Sequence, residues 1–131
     1  MNPLVGGGVS LVIAVAAWAA PGSAPPPPSG EDIYRRCYAC HALEPGRNTP
    51  AGPTLHAIIG RSIAAEPGFD FSPALRRLAS RHEVWTPELL DRFIADPETV
   101  APGTEMGFVG IQDAGQRRAL IHWLRARRPA R

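Results

Sequence analysis

Two cysteines and a histidine in the segment Cys37-Tyr38-Ala39-Cys40-His41 are the residues best suited to chemistry. The cysteines are the only two in the chain, they stand three positions apart, and the histidine follows directly. Two thiols about one helical turn apart can each add to a vinyl group of one porphyrin, and the next imidazole can then reach the iron. The pattern predicts one haem c attached through Cys37 and Cys40, with His41 as an iron ligand.

Three other uses of the cysteines compete with haem attachment. A redox-active dithiol requires a βαβ context, but the flanking segments show no alternating strand pattern. A disulfide between Cys37 and Cys40 would close a very short loop and leave His41 without a role. A zinc site needs a fourth good ligand, and the remaining histidines, His56, His82 and His122, lack metal-ligand spacing. The sequence therefore favours haem.

Met106 is the candidate for a second axial ligand to the iron. An iron with a second protein ligand is typical of an electron carrier, whereas an iron with an open position is typical of a haem enzyme or a gas binder. Apart from Met1, it is the only methionine in the chain, and it follows Pro102-Gly103, which favour an irregular loop. An isolated methionine commonly fills a gap in a core. In a loop of a haem protein, Met106 is better interpreted as an iron ligand.

Further motifs follow the cysteines in a specific order. They are Gly52-Pro53-Thr54-Leu55-His56, Ile59-Gly60-Arg61, Glu66-Pro67-Gly68-Phe69, Trp85, Pro102-Gly103-Thr104 and Met106-Gly107-Phe108-Val109-Gly110-Ile111. In this order the chain resembles the class I c-type cytochromes of the mitochondrial cytochrome c type, over residues 30 to about 125. The resemblance implies an all-α cytochrome c fold with the haem at its centre.

The resemblance also implies roles for residues around the haem. The carbonyl of Pro53 would accept a hydrogen bond from the outer ring nitrogen of His41 and hold the imidazole. Arg61 and Trp85 would bind a buried haem propionate, whose charge would otherwise be costly in a dry pocket. Thr104 belongs to the motif that precedes the methionine ligand, and we expect it to bind the cofactor as well.

Three positions depart from the family pattern. Phe71 and Phe93 stand where the family commonly has tyrosines, and Leu75 replaces a further polar residue. We expect a drier haem environment with fewer hydrogen bonds, which would change the reduction potential.

Helix signals predict about four to five helices, with no competing strand pattern. Ser29 with Asp32 predicts the start of a first helix that carries Cys37 and Cys40. The last helix should pack against the first through Leu120, Ile121, Trp123 and Leu124. The other signals are Ser72-Pro73 for a helix to about Ser80, Thr86-Pro87 for one that ends at Asp96-Pro97, and Asp113 with Gln116 for the last helix.

The N-terminal residues predict export. Residues 4–20 form an uncharged apolar run, so that residues 1–20 are expected to be a signal peptide or an N-terminal membrane anchor. Residues 21–29 form a Pro-rich linker, and residues 30–131 form the cytochrome c domain. The expected location is the periplasm, with the protein either soluble or tethered to the outer face of the inner membrane.

The charges are unevenly spread along the 131 residues. All 14 basic residues are arginine, and the 12 acids leave a formal charge of +2. Residues 31–116 hold eight arginines and twelve acids, a balance of −4, whereas residues 117–131 hold six arginines and no acid. This distribution argues against a nucleic-acid binder with one basic face. The C-terminal arginines are interpreted as a solvated surface, with a docking or anionic-lipid surface as the alternative.

The expected function is one-electron transfer, without enzymatic activity, between respiratory or photosynthetic redox proteins. Iron held by both His41 and Met106 would have no open coordination position. One alternative is a haem enzyme or a gas- or peroxide-reactive sensor in which Met106 dissociates. Another is a dedicated electron-transfer subunit of a larger dehydrogenase or oxidase. We expect a monomer that does not bind nucleic acid.

Overall fold

The computed structural model describes residue 22 and residues 24–127. This part of the chain contains five α-helices and no strand, so the all-α prediction is confirmed. The helices are α1 Gly30–Tyr34, α2 Pro73–Ala79, α3 Pro87–Ala95, α4 Pro97–Val100 and α5 Ala114–Arg125. Turns and loops connect them, with isolated β-bridges between Thr49 and Gly52 and between Ser62 and Val84.

The predicted N-caps are all formed. Ser29 and Asp32 make a reciprocal capping box at the start of α1. Ser72 and Thr86 cap α2 and α3, each followed by a proline at the first helical position, where its missing N–H costs nothing. The Asp113 carboxylate accepts the N–H of Gln116 at 2.7 Å and begins α5.

The first helix is shorter than the sequence predicts. α1 ends at Tyr34, and Cys37 and Cys40 lie in the turns that follow it. The Cys37 N–H donates to the Tyr34 carbonyl at 2.7 Å, a bond that spans three residues rather than four. The Tyr34 hydroxyl also donates to the His41 carbonyl at 2.6 Å. The chain therefore tightens and curls back at the cysteines, which helical periodicity alone does not show.

The predicted end of α3 is confirmed with one addition, and one further prediction needs correction. α3 does end at Ala95, but Asp96-Pro97 also begins α4, because Asp96 caps the new helix by accepting the Thr99 N–H at 3.1 Å. Arg117 does not belong to a solvated arginine surface: its side chain is only 13% exposed and pairs with Asp91 of α3 at 2.8 Å. Arg118, Arg125 and Arg127 are exposed, while Arg128 and Arg131 lie outside the described residues.

The last helix packs against the first, as predicted. α1 and α5 approach so closely that a Cβ on Gly30 would collide with Trp123 and with the Ala119 carbonyl. The rings of Tyr34 and Trp123 lie 5.2 Å apart between the two helices. This close contact closes one side of the core, and Leu120 on the same helix lines a large cavity.

Within residues 22 and 24–127, no helix combines the length and the apolar character needed to cross a bilayer. The predicted signal peptide or anchor, residues 1–20, lies outside the described residues. The predicted domain boundaries stay predictions.

Candidate haem site

A cavity of about 860 Å³ lies at the centre of the described fold. All eight residues predicted to bind the cofactor line it. They are Cys37, Cys40, His41, Pro53, Arg61, Trp85, Thr104 and Met106. These residues lie in the connections between α1 and α2 and between α2 and α3, and in the loop after α4. The fold thus brings residues from distant parts of the sequence to one site.

The His41 ring is oriented by its neighbours. Its Nδ1 lies 2.7 Å from the Pro53 carbonyl oxygen, which can only accept, so that Nδ1 carries the proton and donates. The Nε2 lone pair is then left for a metal. Burial lowers the pKa of His41 below its ordinary value, although the hydrogen bond to Pro53 opposes this effect. The buried site therefore favours the neutral imidazole that can bind iron.

The two thiols are free and are not joined to each other. Cys37 is half-buried, and this burial raises its pKa to about 11, while Cys40 is exposed. In the described part of the chain, no group of three or more His, Cys, Asp or Glu residues could hold a metal ion. These observations fit two attachment points on one cavity wall and give no support there to a zinc cluster.

Met106 is positioned by a loop that is anchored at both ends. The Met106 N–H donates to the Thr104 hydroxyl at 3.3 Å, just before the methionine. After it, Gly110 adopts φ +91° and lies directly against the Ala95 carbonyl, where a Cβ would collide. The Ile111 N–H then donates to the Ile94 carbonyl at 2.8 Å. The loop therefore presents the thioether to the same cavity as His41.

Arg61 is half-buried, and most of its guanidinium donors have partners. Its Nη1 donates to the His56 carbonyl at 2.9 Å, and its Nη2 donates to the Thr54 carbonyl at 2.8 Å. Its Nε is buried and has no partner within the described residues. Burial also lowers the pKa of this guanidinium, which nevertheless stays charged at neutral pH. An unpaired donor on a buried cation fits an anionic group such as a haem propionate.

The rest of the cavity wall is largely apolar. Phe71, Leu75 and Phe93 all line it, at the positions where the sequence departs from the family pattern. Trp85 is 7% exposed, and its ring centroid lies 5.0 Å from that of Phe93. Together with the thiols, the imidazole, the thioether and the Arg61 Nε, this wall suits a flat apolar ligand with an anionic edge, which is the chemistry of haem c.

Sequence reasoning missed one residue of this region. Glu66 forms an ion pair with Arg61, with Oε2 3.1 Å from Nη1. In the sequence, Glu66 stands out only as part of the Glu66-Pro67-Gly68-Phe69 motif. Its position five residues after Arg61 and next to the turn residues Pro67-Gly68 was the available signal.

Curated relatives align with most of this chain. Cytochrome c type-1 of Ascaris suum is 40% identical over 97 residues, covering 73% of this chain and 83% of the relative. Cytochrome c2 of Rhodopila globiformis is 38% identical over 106 residues, covering 79% of this chain and 96% of the relative. The chain is a class I c-type cytochrome. No family model matches the chain.

Solved structures agree with this assignment. Cytochrome cH from Methylobacterium extorquens has a TM-score of 0.67 and 34% identity, covering 74% of this chain and 94% of that structure. Cytochrome c2 from Rhodospirillum centenum has a TM-score of 0.69 and 27% identity, covering 76% and 96%. The predicted cytochrome c fold is therefore confirmed.

The family membership confirms the cofactor and the general function. This cytochrome binds one haem c covalently through Cys37 and Cys40, and it acts as a one-electron carrier rather than an enzyme. Its electrons pass to and from redox partners.

Proposed function

We propose that this cytochrome carries single electrons in the periplasm between respiratory or photosynthetic redox proteins, with its iron held by His41 and Met106. The observation that carries this proposal is the placement of an oriented imidazole and a loop-borne thioether on one cavity. Two protein ligands leave no position open for a substrate, which favours electron transfer over haem-based catalysis or sensing.

The residues around the cavity then have different roles. Haem c supplies a one-electron iron couple when bound. Pro53 engages Nδ1 of His41, so that Nε2 is the nitrogen available to the iron, and the anchored loop holds the Met106 thioether. A soft thioether favours the ferrous state and so raises the reduction potential. Because both ligands are fixed by the protein, the ligand set can stay the same in both oxidation states and reorganisation is small.

Electron exchange requires that one edge of the cofactor lie near the surface. Cys40 is exposed, and the neighbouring Tyr38 is 74% exposed. The attachment side of the cavity is therefore the side through which we expect partners to exchange electrons. The proposed periplasmic location is supported by the apolar residues 4–20, which serve as a signal peptide or a tether. We propose a monomer, since one cavity holds every predicted ligand.

The ligand set is tested by optical spectroscopy of the exported ferric and ferrous protein. In the unmodified protein, carbon monoxide at neutral pH should leave the ferrous spectrum unchanged, because both axial positions are filled. Met106→Ala should change the ferric spectrum and allow carbon monoxide to bind. Val109→Ala is a matched control in the same loop, since Val109 is 93% exposed. Carbon monoxide binding by the unmodified protein would instead support a sensor or enzyme with a labile Met106.

The partners are tested by purification and by kinetics. A free carrier should purify alone, whereas stable copurification with a dehydrogenase or oxidase would indicate a dedicated subunit. The rate of oxidation by candidate oxidases should also depend on salt if the exposed arginines Arg118, Arg125 and Arg127 guide docking. An absence of salt dependence would exclude that role. Fractionation of membranes will decide between a cleaved signal peptide and a retained anchor.

A further inference from the structure

The ion pair between Arg61 and Glu66 is well shielded from solvent. The side chains are 18% and 10% exposed, and Glu66 Oε2 lies 3.1 Å from Arg61 Nη1. Because Arg61 lines the cavity, a negative charge stands one residue behind the proposed propionate-binding cation. Because little water screens this pair, its charges act over longer distances than charges in bulk water.

The segment that carries Glu66 is fixed relative to Arg61. Asn48 Nδ2 donates to the Pro67 carbonyl at 2.8 Å, and Asn48 Oδ1 accepts the Thr54 N–H at 3.0 Å. The Thr54 carbonyl is in turn an acceptor of Arg61. One network therefore sets the positions of both members of the pair.

We propose that Glu66 is a positioning residue that orients Arg61 and partly neutralises it, and that it thereby lowers the reduction potential of the haem. This inference rests on the proposed contact between Arg61 and a propionate. A free Arg61 cation would favour the ferrous haem, because oxidation adds one positive charge to the iron. The Glu66 carboxylate offsets that cation and stabilises the ferric state. Nη1 and Nη2 of Arg61 donate to the His56 and Thr54 carbonyls, so that the unpaired Nε remains for the propionate.

The test is the midpoint potential of the holoprotein with Glu66→Gln. Glutamine keeps an oxygen that can accept from Arg61 and removes only the charge. We expect the equilibrium with a reference redox couple to shift towards the reduced cytochrome by about threefold or more, and a tenfold shift corresponds to about 59 mV for one electron. Glu88→Gln is the matched control, because Glu88 is exposed at the start of α3 and changes the net charge equally.

Equal potentials for Glu66→Gln and Glu88→Gln, with an unaltered ferric spectrum, would overturn the proposal. If Glu66→Gln yields too little holoprotein, Glu66→Ala removes both the charge and the acceptor, and we again expect a higher potential; an unchanged or lower potential contradicts the inference. The ligand set is tested separately, by the spectrum of the unmodified protein. A wrong ligand set would therefore show in the spectrum of the unmodified protein, whereas a Glu66 without influence on the haem would show in the potentials of the variants.

Discussion

At the scale of single residues, the imidazole of His41 depends on a glycine as much as on its hydrogen bond. A Cβ on Gly52 would lie 2.6 Å from His41 Cε1 and 2.8 Å from the Cys40 carbonyl oxygen. Real Cβ atoms do not approach so closely, and neither the ring nor the backbone is free to move without losing the contact with Pro53. The glycine next to Pro53 therefore leaves the space in which the ring is held.

Gly52→Ala should displace the His41 ring and lower the yield of protein with normally ligated haem several-fold. The expected cause is steric overlap with both the ring and the Cys40 carbonyl, which belongs to the attachment segment. Absorption spectra and haem content per polypeptide measure the effect. Gly107→Ala is the control, because a Cβ there meets nothing within 4 Å. Normal haem content and spectrum in Gly52→Ala would show that the ring is not confined in this way.

At the scale of helices, Arg117 connects α5 to α3 and to the end of the methionine loop. Its Nε donates to Asp91 Oδ1 at 2.8 Å, and its Nη1 donates to the carbonyls of Ile111 and Gln112, both at 2.9 Å. One side chain of α5 thus satisfies acceptors on two other segments. This contact keeps the segment after Met106 against the helices that line the cavity.

Arg117→Met should lower the free energy of unfolding by about 2 kcal/mol, because it leaves Asp91 and two carbonyls without their charged donor. Denaturant unfolding of the holoprotein measures this loss. Arg118→Met is the adjacent control: Arg118 is exposed and has no ion pair within the described residues, so that a change within about 0.5 kcal/mol is expected. Similar losses for both variants would contradict the role assigned to Arg117.

At the scale of the whole molecule, the haem is part of the core. The buried hydrophobic side chains form one core cluster, and several of them, among them Leu75, Phe93 and Leu120, also line the central cavity. A domain of about 100 residues buries a limited core of its own, so a cofactor that packs against these walls contributes to its stability. The cofactor and the fold are therefore coupled.

Protein without covalent haem should lose cooperative unfolding. Cys37→Ser with Cys40→Ser prevents attachment, and we expect reduced helical circular dichroism and no sharp thermal transition, because the cavity walls lose their main packing partner. The holoprotein under the same conditions is the reference. A cooperative transition of the haem-free variant at a similar temperature would show that the side chains fill the cavity themselves.

Local sequence was sufficient for the helix starts and for the attachment residues. Ser29, Ser72, Thr86 and Asp113 cap helices through contacts within three residues, and such contacts depend on little beyond the neighbouring chain. The early end of α1 was not predicted, because the Tyr34 hydroxyl that reaches the His41 carbonyl makes a contact seven residues away. Helical periodicity carries no information about such a contact.

The sequence by itself determined the haem c attachment, the helical class and the candidates for the iron ligands, because each depends on residue type and short spacing. Only the tertiary structure decided which residues share the cavity and which neighbours control them. Gly52 against His41, Glu66 behind Arg61 and Arg117 on Asp91 are contacts between separate segments. They depend on how the loops pack around the central cavity, and no local pattern encodes that packing.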